Sequence, residues 1–232
     1  FGSASDDQPV TVTSPFQAAD CASLGFKPKL SLQLLGGTKR GDNPRLKVTV
    51  KPRPGDANIE GAQITLPHSE FIENAHFKTI CTRVQFNSGA GNGAACPANS
   101  IYGRARATIP LLDEPLEGPV FLRSSSHALP DVVVALHSAK VDFNLVTRVD
   151  SVKGGRLRAT VESAPDAPVT KFVVNMQGGK KGLFVNSTDL CKRKHRANVY
   201  LSGQNGRFTE SNLELKPQCG GKSQKKRGAR AR

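Results

Sequence analysis

Four side chains within nine residues, His68, Glu70, Glu73 and His76, come nearest to a metal-ligand set in this 232-residue chain. Imidazoles and carboxylates hold a divalent ion when a helix stacks two histidines at i and i+4 and the fold supplies a third ligand. His68 and His76 are eight apart, roughly two helical turns, so one small ion cannot touch both. They read as solvent-facing positions of a short helical segment. Asp113, Glu114 and Glu117 invite comparison with the paired carboxylates of a glycosidase or with a cation loop. Pro115, Gly118 and Pro119 interrupt them, and the alternating Asp/Asn ligands of a calcium loop are missing. Gly178-Gly179-Lys180-Lys181-Gly182 has the residue types of a phosphate loop without its spacing, and reads as a lysine-bearing turn. No Gly-x-Ser-x-Gly elbow occurs, and His127, His137 and His195 are scattered. The sequence therefore predicts no catalytic residue, no metal site and no cofactor.

Charge and cysteine usage are more telling. The formal net charge is +14, and Lys222, Lys225, Lys226, Arg227, Arg230 and Arg232 supply much of the excess in a tail expected to be disordered over residues 221–232. A second run, Lys192, Arg193, Lys194 and Arg196, precedes a predicted strand. Together these residues are the candidate contacts for a polyanion, either an anionic wall polymer or nucleic acid. Nucleic acid is the poorer fit, because base stacking wants aromatics and the chain has no Trp and two Tyr. The alternative is a solvated, solubilising tail.

Cys81 and Cys96 bracket fourteen residues rich in Gly, Ala, Asn and Ser that carry no apolar pattern. No Cys-x-x-Cys or Cys-His spacing favours a metal there, whereas a disulfide stabilises such a loop by about 3 kcal/mol. That bond implies an oxidising compartment and hence export. Cys191 and Cys219 stand nearly equidistant from a predicted hairpin turn, Gly203-Gln204-Asn205-Gly206, which makes them the second expected pair. Cys21 is left over, and pairings of Cys21 with Cys191 or Cys219 stay open.

The elements that must position all this are strands. Leu30, Leu32 and Leu34 alternate with polar residues, as do Leu46, Val48 and Val50, then Val141, Phe143 and Leu145, then Phe172, Val174 and Met176. Val132 to Leu136 is almost wholly apolar and reads as a strand buried on both faces. His68 to Phe86 is the best helical stretch, with Ser69 as N-cap and Phe71, Ile72, Ala75, Ile80 and Val84 on one face, broken into one or two short helices. About a dozen strands with 22 Gly and 15 Pro predict an all-β, Ig-like sandwich, either one large sandwich or two packed ones. The expected organisation is an arm over 1–20, a β portion with the disulfide loop over 21–123, a second β portion over 124–220, and the tail. No apolar run reaches the roughly 18 residues of a membrane span. The chain begins at Phe1 with no charged and apolar leader pattern, as in a processed form or a piece of a longer chain.

Several stretches together carry a resemblance. Among them are Asp20-Cys21-Ala22-Ser23-Leu24-Gly25-Phe26-Lys27-Pro28, Leu66-Pro67, the Cys81 to Phe86 segment and Cys96-Pro97-Ala98. Later in the chain come Pro115-Leu116-Glu117-Gly118-Pro119-Val120, Pro165-Asp166-Ala167-Pro168-Val169 and Gly203-Gln204-Asn205-Gly206. In this order, over roughly Phe16 to Gly220, the chain resembles a repeated extracellular domain of large exported proteins of soil actinobacteria, a family without an established function. The resemblance implies a secreted or cell-surface β module with neighbouring repeats as partners, and it transfers no catalytic residue. The expected role is a structural or interaction module for adhesion or display. Polyanion binding is the alternative, and a wall-polysaccharide enzyme the outsider.

Overall fold

The computed structural model describes residues 20–219, and the arm expected over 1–20 (apart from Asp20) and the basic tail lie outside the described residues. The chain is all-β. Its strands are β1 (Lys29–Leu35), β2 (Arg45–Lys51), β3 (Ile59–Thr65), β4 (Glu70–Ile72), β5 (Ile101–Thr108), β6 (Leu116–Arg123) and β7 (Asp131–His137). They continue with β8 (Asp142–Val152), β9 (Arg156–Val161), β10 (Lys171–Met176), β11 (Phe184–Asn186), β12 (Arg196–Gly203), β13 (Phe208–Glu214) and β14 (Lys216–Pro217). A five-residue helix, α1 (Arg83–Asn87), and four single 3-10 turns complete the described residues.

Twelve of these strands make one sheet in the order β13, β12, β3, β9, β8, β7, β6, β5, β10, β2, β1, β14, and β4 pairs with β11 in a second, small sheet. β13 and β14 are separated by Leu215 alone, yet β13 pairs with β12 at one end of the order and β14 pairs with β1 at the other. One nearly continuous strand thus joins the two edges, and the sheet closes on itself like a barrel. Closure leaves no long unpaired edge for another chain to add to. β10 sits between β5 and β2, and β3 between β12 and β9, so stretches 21–123 and 124–220 interleave within one sheet.

Period-2 alternation decides which side chains face inward. Along β1, Leu32 and Leu34 are buried while Lys29 is exposed; along β5, Ala105 and Ala107 are buried while Arg104 and Arg106 are exposed. β7 is the exception foreseen for Val132 to Leu136. Val134 and Leu136 face the interior, and Val133 and Ala135 are equally buried on the outside beneath Phe86 and Phe121. This outer cluster is held down by the Cys81–Cys96 disulfide. The Phe86 and Phe121 rings meet edge to face at 5.8 Å, and Gly93 passes over them at φ 79°, where a Cβ would lie 2.7 Å from the Phe121 ring.

The helix expected within His68 to Phe86 is mostly replaced. Glu70 to Ile72 form β4 in register with Phe184 to Asn186 of β11, and Asn74 to His76 make a single 3-10 turn. Only α1 is helical, and its cap is Thr82, whose side chain and that of Gln85 form a reciprocal capping box. Ser69 instead donates to Glu70 Oε2 at 2.7 Å. The proposed apolar face does not exist as one, since Val84 is 81% exposed and Phe71 lies on a strand. Pairing with a distant strand outweighed local helical periodicity.

Cys191 and Cys219 are also bonded, Cα to Cα 5.8 Å. Arg196 pairs with Glu214, so both cysteines lie five residues beyond that rung on the two arms of the β12–β13 hairpin. Cys21 is exposed and unbonded. Two disulfides fit an oxidising compartment, and no helix among the described residues is long and apolar enough to cross a membrane.

Where β4 meets β11, Glu70 and Asn186 stand directly opposite each other, each about 1% exposed. Glu70 Oε1 and Asn186 Oδ1 are both buried acceptors without a partner among the described residues. Only a protonated Glu70 carboxyl would bring a hydrogen to this pair of acceptors. Burial pushes the Glu70 carboxyl up to about 7, against the opposing pull of the Ser69 hydroxyl. The folded chain therefore holds this proton more tightly than the unfolded chain. The stability this contributes is complete below the ordinary value near 4.5 and is lost as pH rises through about 7. We predict a loss of about 3 kcal/mol across that window. Glu70→Gln, which keeps a donor for Asn186, should flatten it in denaturant melts run from pH 4 to pH 8. An unchanged pH profile in the variant would remove Glu70 from the account.

Candidate functional site

A barrel's width grows with its strand number, and about eight strands give an interior that side chains can just fill. With β13 and β14 as one strand, eleven strand positions close the ring and need bulky inward residues, and this chain supplies mainly Val, Leu, Ile and Ala. The interior is accordingly not filled. It contains a chamber of about 390 Å³ whose walls come from β1, β2, β3, β5, β6, β7, β8, β9, β10, β11 and β12. Among the lining residues Thr147 alone has a polar side chain.

The chamber has a blind end and an open end. Along β1 the side chains go from partly exposed Leu30 to Leu32 and Leu34, both almost wholly buried, and along β10 from partly exposed Phe172 to buried Met176. Tyr102, Leu122, Leu183 and Leu190 seal the blind end, where Tyr102 donates its hydroxyl to the His76 carbonyl at 2.9 Å. Both disulfides and the β4–β11 pair belong to this end. At the other end Pro52, Ile109, Val141, Pro165 and Val169, on the loops after β2, β5, β7 and β9, line the mouth. Val141 is half exposed there, as is Leu111 nearby to a greater degree.

Ionic groups stay on the rim. Lys140 meets Asp113 at 3.3 Å, Asn58 donates to Asp166 at 2.7 Å, and Arg53 bonds Asp56 at 2.9 Å. The Arg53 hydrogen bond holds the Asp56 carboxyl below its ordinary value. No titratable side chain lines the chamber. An apolar cavity of about 150 Å³ stays dry and takes up small hydrocarbons, and specific ligand pockets run from about 300 to 1,000 Å³. What this space can do is take apolar matter out of water. It offers no group for acid, base or nucleophilic chemistry beyond one hydroxyl.

The residues that drew attention in the sequence lie elsewhere. Glu73 caps the 3-10 turn through Ala75 N, and His76 Nδ1 is 2.8 Å from the Gly182 carbonyl. With Glu70 turned inward and His68 exposed, the four do not converge. Among the described residues no group of three His, Cys, Asp or Glu side chains is placed to hold an ion. Glu117 pairs with Arg106 and Asp113 with Lys140, so those acids do not face each other. Lys192, Arg193, Lys194 and Arg196 are exposed around the start of β12, with Lys194 tied to Glu214 at 3.2 Å. Lys222, Lys225, Lys226, Arg227, Arg230 and Arg232 lie outside the described residues. The Cys191–Cys219 bond puts the residue from which that tail departs next to the Lys192 run. Burial, reinforced by Arg193, pushes the His195 imidazole down.

One cluster escaped the sequence reading. Asp131, 4% exposed, accepts from Arg123 Nη2 at 3.1 Å and sits 2.9 Å from His127 Nε2. The Arg123 guanidinium also lies over the Phe86 ring at 5.3 Å. This network pins the ends of β6 and β7 to the disulfide loop, beside a shallow hollow lined by Phe77, His127 and Leu129. Its i,i+4 spacing was visible, but its place on a β-hairpin end was not.

Comparison with protein-family models, with curated proteins and with solved structures finds no match to this chain.

Because the chamber is unfilled, added volume in it should be harmless. Ala159 on β9 lines it, whereas Ala197 on β12 is fully buried in the packed core. We predict that Ala159→Leu keeps or raises the thermal midpoint, while Ala197→Leu loses about 1–3 kcal/mol as an overpacked core does. Thermal melts of both variants check this, and equal losses would mean the interior is already full.

Proposed function

We propose that this chain is an exported, cell-surface binding module that holds an apolar, chain-like ligand, such as a lipid acyl tail, inside its barrel. The single observation that carries the proposal is the open-ended chamber of about 390 Å³ with one polar side chain on its walls. Three further features support it. The Cys191–Cys219 bond clasps the blind end and Cys81–Cys96 anchors a loop to the outer wall, while no disulfide crosses the open end, where a ligand could enter. A charged rim lets an amphiphile keep its polar head in water while its tail is buried. The disulfides suit the outside of a cell. The sequence resemblance adds surface display, in which a module of this kind takes up or presents its ligand by binding and not by catalysis.

The test is binding. Nile red should brighten on mixing with the purified full chain, and palmitate should displace it. Val48→Trp and Ala159→Trp, both filling the chamber, should weaken dye binding by about tenfold or more while the thermal midpoint holds. Leu111→Ser, on the exposed loop, should leave dye binding intact. Absence of dye binding, or dye binding indifferent to the tryptophans, would overturn the proposal.

A further inference from the structure

The outside of the barrel is divided as sharply as the inside is uniform. The five adjacent strands β14, β1, β2, β10 and β5 contain no Asp or Glu. Their outward positions carry Lys29, Lys47, Lys51, Lys171, Arg104 and Arg106, with Arg45 and Lys216 at the margin. Among the described residues only Arg106 has an ionic partner, Glu117 on the neighbouring β6 at 2.7 Å. The opposite wall is different, because Arg148 and Arg158 there meet Asp150, and Lys194 meets Glu214.

Registers place these cations in rows across the strands. Lys216, Gln33, Lys47, Asn175 and Arg104 follow one another across β14, β1, β2, β10 and β5. Lys29 and Lys51 are directly opposite each other. Strands are about 4.8 Å apart, so successive cations in the first row are separated by about 10 Å with an amide between them. Like charges face to face across a ladder destabilise it; Lys29 and Lys51 lie well within the Debye length of about 8 Å at physiological salt, and the cations of the first row lie just beyond it. A sheet that keeps such an arrangement unpaired is complementary to an external anion.

We infer that this face binds a linear anionic glycan lying across the strands. The cations match carboxylates or phosphates spaced along a polymer, and the interposed Gln33, Asn175, Ser31 and Thr49 offer hydrogen bonds to hydroxyl groups. No aromatic side chain stands at an outward position of these strands, so there is nothing on which bases stack. The surface lies on the opposite side of the barrel wall from the chamber, which Phe172 and Val50 line from the backs of the strands that carry Lys171 and Lys51. Only its margin at Lys216 approaches the Lys192–Arg196 run, where Leu215 N donates to the His195 carbonyl, so Lys47, Lys51 and Arg104 are the residues that tell the two apart.

The experiment uses the full chain, tail included, with polygalacturonate as the probe and neutral dextran as the control, at several salt concentrations. A face variant (Lys47→Gln, Lys51→Gln, Arg104→Gln) is compared with a loop variant (Lys192→Gln, Arg193→Gln, Lys194→Gln). If each contact with a flexible polyanion contributes about 0.7 to the log-affinity against log-salt slope, the face variant should lose about 2 from it. Its affinity should fall at least about tenfold, while the loop variant stays close to the parent. Thermal midpoints should be unchanged or higher in the face variant, since repulsion is relieved, which separates lost binding from lost folding. The inference is overturned if the face variant binds like the parent, if the loop variant alone accounts for binding, or if polygalacturonate does not bind. It is also overturned if an oligothymidylate of equal charge binds more tightly.

Discussion

Everything in this molecule depends on how the sheet is closed. β14 contributes only two paired residues, Lys216 with Gln33 and Pro217 with Leu34, followed by one further bond from Gln218 N to the Leu34 carbonyl. So short a parallel pairing is weak by itself. It is held by what flanks it: buried Leu215, whose N–H donates to the His195 carbonyl at 2.8 Å, and the Cys191–Cys219 bond one turn further on. The second disulfide is therefore less a loop staple than a clasp on the closing strand. Without closure, β13 and β1 would be edges, and the apolar inner walls would open to water.

Once the ring is closed, one residue period has two consequences. Every strand sends alternate side chains to opposite faces, so Val48 and Lys47, Ala107 and Arg106, or Phe172 and Lys171 are separated by a single backbone step. The first of each pair faces the chamber and the second the basic outer face. The ring is too wide for small aliphatic side chains to fill, and the outer positions of these strands carry charge of one sign only. Neither feature needs a loop or an insertion. Both follow from strand composition multiplied around a closed sheet.

This explains what was legible in the chain. Alternation at Leu30 to Leu34 and Leu46 to Val50 marked strands, and the unbroken apolar run at Val132 to Leu136 marked the strand covered on both faces. The Asn-Gly turn and the two cysteine pairs could be read because their partners are related by a local symmetry about a hairpin or a short loop. The chamber could not, because periodicity tells which side chains point inward and not how far away the opposite wall stands. A hint was available: a dozen strands and no Trp leave little to fill a wide interior. The basic face was missed for a different reason. Lys29, Lys51, Arg104 and Lys171 are scattered over more than a hundred residues, while a search along the sequence finds consecutive charges such as Lys192 to Lys194. Only the insertion of β10 between β5 and β2 gathers them. Glu70 and Asn186 are the same case in miniature, two unsatisfied acceptors made neighbours by a long-range pairing.

A chain that folds to one structure is expected to be consistent at every level, and departures from consistency gather where something else is served. Three departures stand out here. Interior apolar walls face a space and forfeit the contacts a packed core would give. Cations stand opposite cations without partners. A carboxyl is buried with an unfilled acceptor beside it. The last lies at the stapled end, where it bears on stability through protonation. The first two lie on the two faces of the same strands, and each is an unfavourable term that an occupant of suitable chemistry removes, apolar inside and anionic outside. The rest of the fold, with two disulfides, a sealed blind end and the Asp131 network, supplies the stability against which such terms can be held.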